Sequence, residues 1–284
     1  MLMRYAMAAL TAATALLTLI TSGRAFDEEK YPNLKGQWFR RIVPGLGQGS
    51  FDQTKSWGNG QQAPLSAEYQ AIFEAGLADQ AAGGPGHFMG SRCIADGMPL
   101  MMIGFTPLEF ILTAETMYVL VDYRDHTRRI YTDGRDWPQA ILPTFQGYSI
   151  GRWIDEDGDG RYDVLEVETR GPFKGIRVYD ASGLPLHHDN MSRIKERIHL
   201  DKSNPNILHD EITVFDNALT RPWTVDKMYL RNPNPRPVWD EFICPENNAL
   251  VFVGKETYFI SADGFLMPLK KDQPAPDLRY FNRR

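Results

Sequence analysis

Cysteine is nearly absent: the 284 residues hold two, Cys93 and Cys244, and neither has a second cysteine or a histidine at metal-ligand spacing. That excludes zinc-ribbon and Cys-x-x-Cys redox chemistry. An excess of basic charge is also missing, with 31 Lys and Arg against 36 Asp and Glu. Binding to nucleic acid is dominated by Lys and Arg contacts to phosphate, so nucleic acid is not an expected partner. Beyond the first 25 residues no apolar run approaches the ~20 residues of a membrane-spanning helix. No internal repeat of fixed period is present, and helical periodicity is confined to one stretch.

The first 25 residues carry a different signal. Arg4 supplies a positive start, Tyr5 to Ile20 is an uncharged and mostly apolar run, and Gly23-Arg24-Ala25 puts small residues at cleavage positions. This pattern is a secretory leader, with cleavage expected after Ala25 and a periplasmic or secreted product. Without Arg4 and Arg24 the balance is 29 basic against 36 acidic side chains, 29 − 36 = −7. In an oxidising compartment Cys93 and Cys244 predict one long-range disulfide. Its loop of about 150 residues would stabilise the fold by about 4 to 5 kcal/mol in the chain-entropy account. The alternative is a pair of buried thiols.

Residues 26–284 read as a single domain. Gly36-Gln37-Trp38 opens a β-rich run, and residues 44–85 form a loop and helix segment. Within it, Leu65 to Ala82 is the one helix: Ser66 can cap it, and Tyr69, Ile72, Phe73 and Leu77 share a face. From residue 100 onward short alternating runs follow one another between turn signals. They are 100–105, 109–113, 117–123, 128–132, 148–154, 162–169, 193–200, 208–215, 225–231, 238–243, 250–253 and 257–261. A dozen strands with one helix predict an all-β fold, an antiparallel barrel with a packed helix.

The most informative stretch is Gly147 to Thr169. Asp155-x-Asp157-x-Asp159-Gly160-x-x-Asp163 supplies carboxylates at alternate positions with a glycine at the sharp turn, the oxygen-rich pattern that calcium requires. It resembles the start of an EF-hand loop and the Asp-rich hairpins of calcium-binding propeller repeats. Glu166 occupies the last place of the twelve-residue template, but 164–169 alternates as a strand, which carries Glu166 about 10 Å beyond Asp163. Asp163 is therefore the expected closing ligand. The plainer alternative is a solvated acidic turn. Gly147-Tyr148-Ser149-Ile150-Gly151 spells a hydrolase nucleophile elbow, which needs a helix directly after the serine. Arg152-Trp153-Ile154 continues as strand, so Ser149 is expected between two glycines where another element packs closely.

Taken in order, Cys93-x-x-x-Gly97-Met98-Pro99, Ile130-Tyr131-x-Asp133-Gly134-Arg135, Gly147-x-Ser149-x-Gly151-x-Trp153, Leu165-x-Val167-Glu168-Thr169, Thr220-Arg221-Pro222-Trp223-Thr224 and Cys244-x-Glu246-Asn247 resemble a set of uncharacterised secreted bacterial β-barrel proteins, lipocalin-like in shape. The resemblance implies a lipocalin or calycin-like barrel and carries no activity with it.

Chemistry is expected in three places. His187, His188 and Asp189 could serve as acid and base or hold a metal, although adjacent strand residues face opposite ways. His209-Asp210-Glu211 forms a second cluster, with His199 able to meet it across a hairpin. Arg152, Trp153, Arg221, Trp223 and Met101 could line a ligand site, the arginines stacking on aromatic rings. Met98, Met101 and Met102 fit an apolar core better than copper handling. The leading reading is a barrel that binds a small, largely apolar or aromatic molecule in its interior, with a calcium-stabilised hairpin. A barrel lyase, isomerase or hydrolase using His187, His188 and Asp189, or an envelope structural module, are the alternatives. Oligomeric state is left open.

Overall fold

The computed structural model describes residues 26–40, 63–87, 93–103, 106–122, 126–175, 188–239, 243–244, 249–277 and 279. The leader, the 44–62 connection and His187 lie outside these residues. Nine strands close into a barrel: β1 (Gln37–Arg40), β2 (Leu108–Leu112), β3 (Thr116–Val121), β4 (His126–Tyr131), β5 (Tyr148–Ile154), β6 (Val164–Arg170), β7 (Arg193–Leu200), β8 (Ile207–Phe215) and β9 (Trp223–Arg231). Closure is made by β1, which pairs with β9 through Trp38 and Arg231 and with β2 through Trp38 and Leu108. A second sheet follows, of β10 (Leu250–Val253), β11 (Glu256–Ile260) and β12 (Leu266–Pro268).

The expectation of an antiparallel barrel needs one correction. β4 and β5 pair in parallel, Ile130 with Ser149 and Tyr131 with Ile150. Parallel neighbours need a long crossover, and the chain from 132 to 147 carries β4 back to the opposite rim before β5 begins. Residues 100–103 also depart from expectation. They form a 3-10 turn in place of a strand, because Met101 N–H bonds to the Gly97 carbonyl and Met102 N–H to Pro99, satisfying the backbone locally. At Gly97 a side chain is impossible: φ is +63° and a Cβ would lie 2.1 Å from the Phe145 carbonyl oxygen. Residues 238, 239 and 243 are not in a strand, and β12 lies outside the expected strands.

Alternate residues of each strand face inward. Val119, Ile130, Leu165, Ile194, Leu208 and Val214 are all 0 % exposed. Trp38 is likewise fully buried, its indole N–H donating to the Leu34 carbonyl at 3.0 Å while the Arg231 guanidinium lies 4.2 Å over its ring. Met98, Leu100, Met101 and Met102, all between 0 and 2 % exposed, join the same core, and the Tyr229 hydroxyl donates to the Met102 carbonyl. The helix α1 (Ala67–Ala81) packs Tyr69 and Phe73 on this core, starting where Ser66 Oγ accepts the Tyr69 N–H at 3.5 Å. It is moored to the β8–β9 turn by Ser66 N–H to Ala218 and Thr220 N–H to Pro64, both 2.8 Å. The barrel thus has a helix rim and an opposite rim where the 155–163 turn lies. Cys93 and Cys244 are bonded, Cα to Cα 5.5 Å over a separation of 151 residues.

One inward group breaks the apolar pattern most sharply. Arg128 grips Glu196 with two hydrogen bonds of 2.7 and 2.5 Å, and its Nη2 also donates to Thr169 Oγ1 at 2.9 Å. Both side chains are 0 % exposed. Removing one member of such a pair leaves the other charge uncompensated. Arg128→Met is therefore expected to cost about 3 to 5 kcal/mol in chemical denaturation. The double change Arg128→Met with Glu196→Met should recover most of that loss; an additive pair would mean that the two charges do not depend on each other.

Candidate functional site

The acidic stretch forms a turn between two strands, as its alternating flanks imply. β5 ends at Ile154, β6 begins at Val164, and Asp163 N–H donates to the Ile154 carbonyl at 2.8 Å to close the loop. Asp155 accepts from Gly158 N–H at 2.8 Å and from Gly160 N–H at 2.9 Å; Asp159 accepts from Arg161 N–H at 2.8 Å. One carboxylate oxygen from each of Asp155, Asp157 and Asp159 lies within 4.8 Å of the others, close enough to share one metal ion. Asp163 is outside that group, its Oδ2 accepting the Glu156 N–H at 2.8 Å. Glu166 stays in the strand and pairs with Arg197 at 2.7 Å and Arg152 at 3.3 Å. Ser149 is buried near the start of β5, bonded to Thr169 Oγ1 at 2.8 Å, and the strand continues after it to Ile154. A Cβ on Gly151 would lie 2.8 Å from Ile130 and 3.0 Å from Leu165, the close approach that its position implied.

Beside the hairpin, residues 26–36 run along the rim. Tyr31 sits among Phe26, Trp153 and Tyr162 at ring distances of 4.9, 5.2 and 5.1 Å. Burial, then the neighbouring Tyr162, raises the Tyr31 hydroxyl above its ordinary pKa, so it stays neutral. Between this segment and β2 opens a cleft of about 420 Å³, lined by Phe26, Tyr31, Leu34, Phe110, Ile111 and Leu112. Glu28, Lys35 and Arg161 stand at its edge.

The five expected ligand contacts do not converge. Trp153 stands in the rim aromatic group and Arg152 is exposed beside Glu166. Arg221 and Trp223 belong to the opposite rim, the first exposed and the second 4 % exposed in the core, where Met101 is also buried. Of the acid–base candidates, His188 and Asp189 are among the described residues and each has its own partners. His188 packs its ring 5.2 Å from that of Tyr69, and its backbone N–H bonds to Asp216. Asp189 accepts from Met191 N–H at 3.0 Å and from Asn217 at 2.5 Å. Burial, then Asp216, Glu68 and Asp189, pushes the Tyr69 hydroxyl up to about 12, so it is neutral and a donor.

A polar belt inside the barrel escapes the sequence reading. Arg128, Ser149, Thr169, Glu196, Asp210 and Lys227 all project inward and are at most 5 % exposed. Strand parity carries the signal, since Asp210 keeps the parity of Leu208 and Ile212, and Lys227 that of Val225 and Tyr229. Asp210 is wholly buried, and neither of its carboxylate oxygens has a hydrogen-bond partner. Burial, and then the charge of Glu196, raises its pKa well above the ordinary carboxylate value, with Arg128 and Lys227 opposing. Lys227, directly opposite on β9, is shifted well down by burial and Arg40.

Compared with known proteins, the chain matches no family model and no curated protein.

A raised folded pKa means that Asp210 favours the fold below the unfolded value near 3.9 and loses that contribution as pH rises through the folded value. Asp210→Asn should therefore match the wild type near pH 3 and gain on it toward pH 8, at a limiting slope of about 1.4 kcal/mol per pH unit. Denaturation at several pH values checks this; a variant whose deficit is constant with pH would refute it.

Proposed function

We propose that this protein is exported and binds a small, largely apolar or aromatic molecule at the mouth of its barrel, with calcium bridging the acidic hairpin beside it. The observation that carries this reading is the rim cleft. Its volume of about 420 Å³ falls within the range of small-molecule sites, which are mostly apolar with a few placed polar groups. The inward apolar side chains pack into one buried core, so we place the ligand at the mouth, where Phe110 and Leu112 continue that core and Arg161 offers charge to a polar tail. The Cys93–Cys244 bond supports an oxidising compartment. Among the described residues no helix is long and apolar enough to cross a membrane.

Calcium would be held by Asp155, Asp157 and Asp159, with Asp163 closing the loop. Its role there is structural: neutralising clustered carboxylates fixes the hairpin against which Tyr31 and Tyr162 pack.

The binding reading is tested with 1-anilinonaphthalene-8-sulfonate, an aromatic probe with one anionic group. Saturable fluorescence gain is expected in the wild type and loss of it in Ile111→Glu. Ile111 is 47 % exposed, so the melting temperature should not change. Equal probe binding by the variant would point to a structural envelope module. For calcium, chelation should lower the melting temperature. The ion contributes about 2.7 kcal/mol at a hundredfold excess over Kd. Asp157→Ala should abolish the sensitivity, and a wild type indifferent to chelator would remove calcium from the account.

A further inference from the structure

On the outer wall of β5 to β8 the register lines up two rows of side chains. Ile150, Glu168, Lys195 and Thr213 stand opposite one another in turn, and two residues further on Arg152, Glu166, Arg197 and Glu211 do the same. Between the rows lie Gly151, Val167 and Glu196. Val167 and Glu196 point into the barrel and Gly151 has no side chain, so the floor between the rows is backbone. The result is a trough of about 440 Å³ lined by both rows and by Trp137. Two residues of a strand span about 7 Å and four paired strands about 14 Å, so it is narrow and runs across the strands.

Its charges cancel. Glu166, Glu168 and Glu211 face outward beside Arg152, Lys195 and Arg197, so the field of the trough favours neither anion nor cation. Like signs face each other across it on one strand, Glu166 with Glu168 on β6 and Lys195 with Arg197 on β7. Such pairs cannot bond to each other and are available to a group lying between them. Glu166 accepts from Arg197 at 2.7 Å and Arg152 at 3.3 Å, and Glu168 from Arg170 at 2.7 Å. A carboxylate has about four acceptor positions, so both keep some in reserve. Lys195 lies 5.9 Å from the Phe215 ring and forms no ion pair among the described residues.

The corner near β5 and β6 is aromatic. The Arg170 guanidinium sits 4.0 Å over the Trp137 ring and Tyr148 flanks it at 6.0 Å, which fixes a half-buried indole against the trough. These features exclude most ligand classes. An extended peptide binds by adding to a free sheet edge, and β6 and β7 are paired on both sides. Nucleic acid requires an excess of basic charge, and an acyl chain an apolar floor. A sugar fits each feature. Its C–H bonds rest on the negative face of an aromatic ring, and each hydroxyl both donates and accepts, so it can bridge a carboxylate to an ammonium or guanidinium.

We propose that this trough binds a short, neutral oligosaccharide, one ring stacked on Trp137 and its hydroxyls held by Glu168, Lys195 and Arg197. The site is separate from the rim cleft and does not depend on it. The full mature chain is applied to an array of neutral and acidic oligosaccharides, and the strongest neutral binder is titrated by calorimetry. Binding to neutral members is expected. Trp137→Ala should weaken it on the order of tenfold through the lost ring contact. Lys195→Ala, at an exposed position, should keep the wild-type melting temperature and weaken binding about three- to tenfold, the worth of one hydrogen bond. Absence of neutral binders, a preference for acidic ones, or binding that neither variant weakens would overturn the assignment.

Discussion

The barrel has a weak seam, and Arg128 holds it. β4 and β5 share two register pairs, whereas β5 and β6 share seven and β7 and β8 eight. Backbone pairing alone would leave this joint and the equally short one between β1 and β2 the easiest to open. Arg128 projects inward from β4 and reaches Ser149 on β5, Thr169 on β6 and Glu196 on β7. One guanidinium thereby ties four consecutive strands from the inside, across the parallel joint. Five fixed donors in a planar fork suit this task, and lysine could not replace them. In the buried interior the group is tolerable because Glu196 neutralises it and the two hydroxyls accept from its Nε and Nη2.

The two rims follow from the same closure. At the helix rim, α1, the Met98–Met102 turn and the β8–β9 turn stack on the inner wall, and Asp216 ties the β8–β9 turn to residues 188–192 by accepting from the His188 and Ala218 N–H groups and from Ser192. The other rim is covered by residues 26–36 and the acidic hairpin, with exposed carboxylates and aromatic rings side by side. The apolar and aromatic cleft and the acidic groove are therefore neighbours on one rim, whereas the helix rim offers the more polar hollow between residues 189–193 and 215–222.

Strands and helix are legible because period-2 burial and the Ser66 cap are local properties. Tyr148–Ile154, Arg193–Leu200 and Leu250–Val253 can be read to the residue, and the helix to within two residues at its start and one at its end. The disulfide is legible because two cysteines allow one pairing. The parallel joint is not, since nothing in residues 132–147 says which rim the chain returns to. The 100–103 turn misleads because Leu-Met-Met-Ile suits a strand as well as a buried turn. The ligand set misleads for a different reason: Arg152-Trp153 and Arg221-Pro222-Trp223 share a composition, but strand direction sends them to opposite rims. The inward charges escape a reading by clustered residue types, because Arg128, Glu196, Asp210 and Lys227 are scattered and only parity unites them.

Charge decides what the groove outside β7 and β8 attracts. Glu156, Asp159, Asp163, Asp201, Glu211 and Asp226 line it, against Arg161, Arg197 and Lys202. With the carboxylates in excess, it concentrates cations and repels anions. Asp159 and Asp163 of the acidic hairpin line this same groove, so the field that draws cations to the outer wall of β7 and β8 draws them to the hairpin as well.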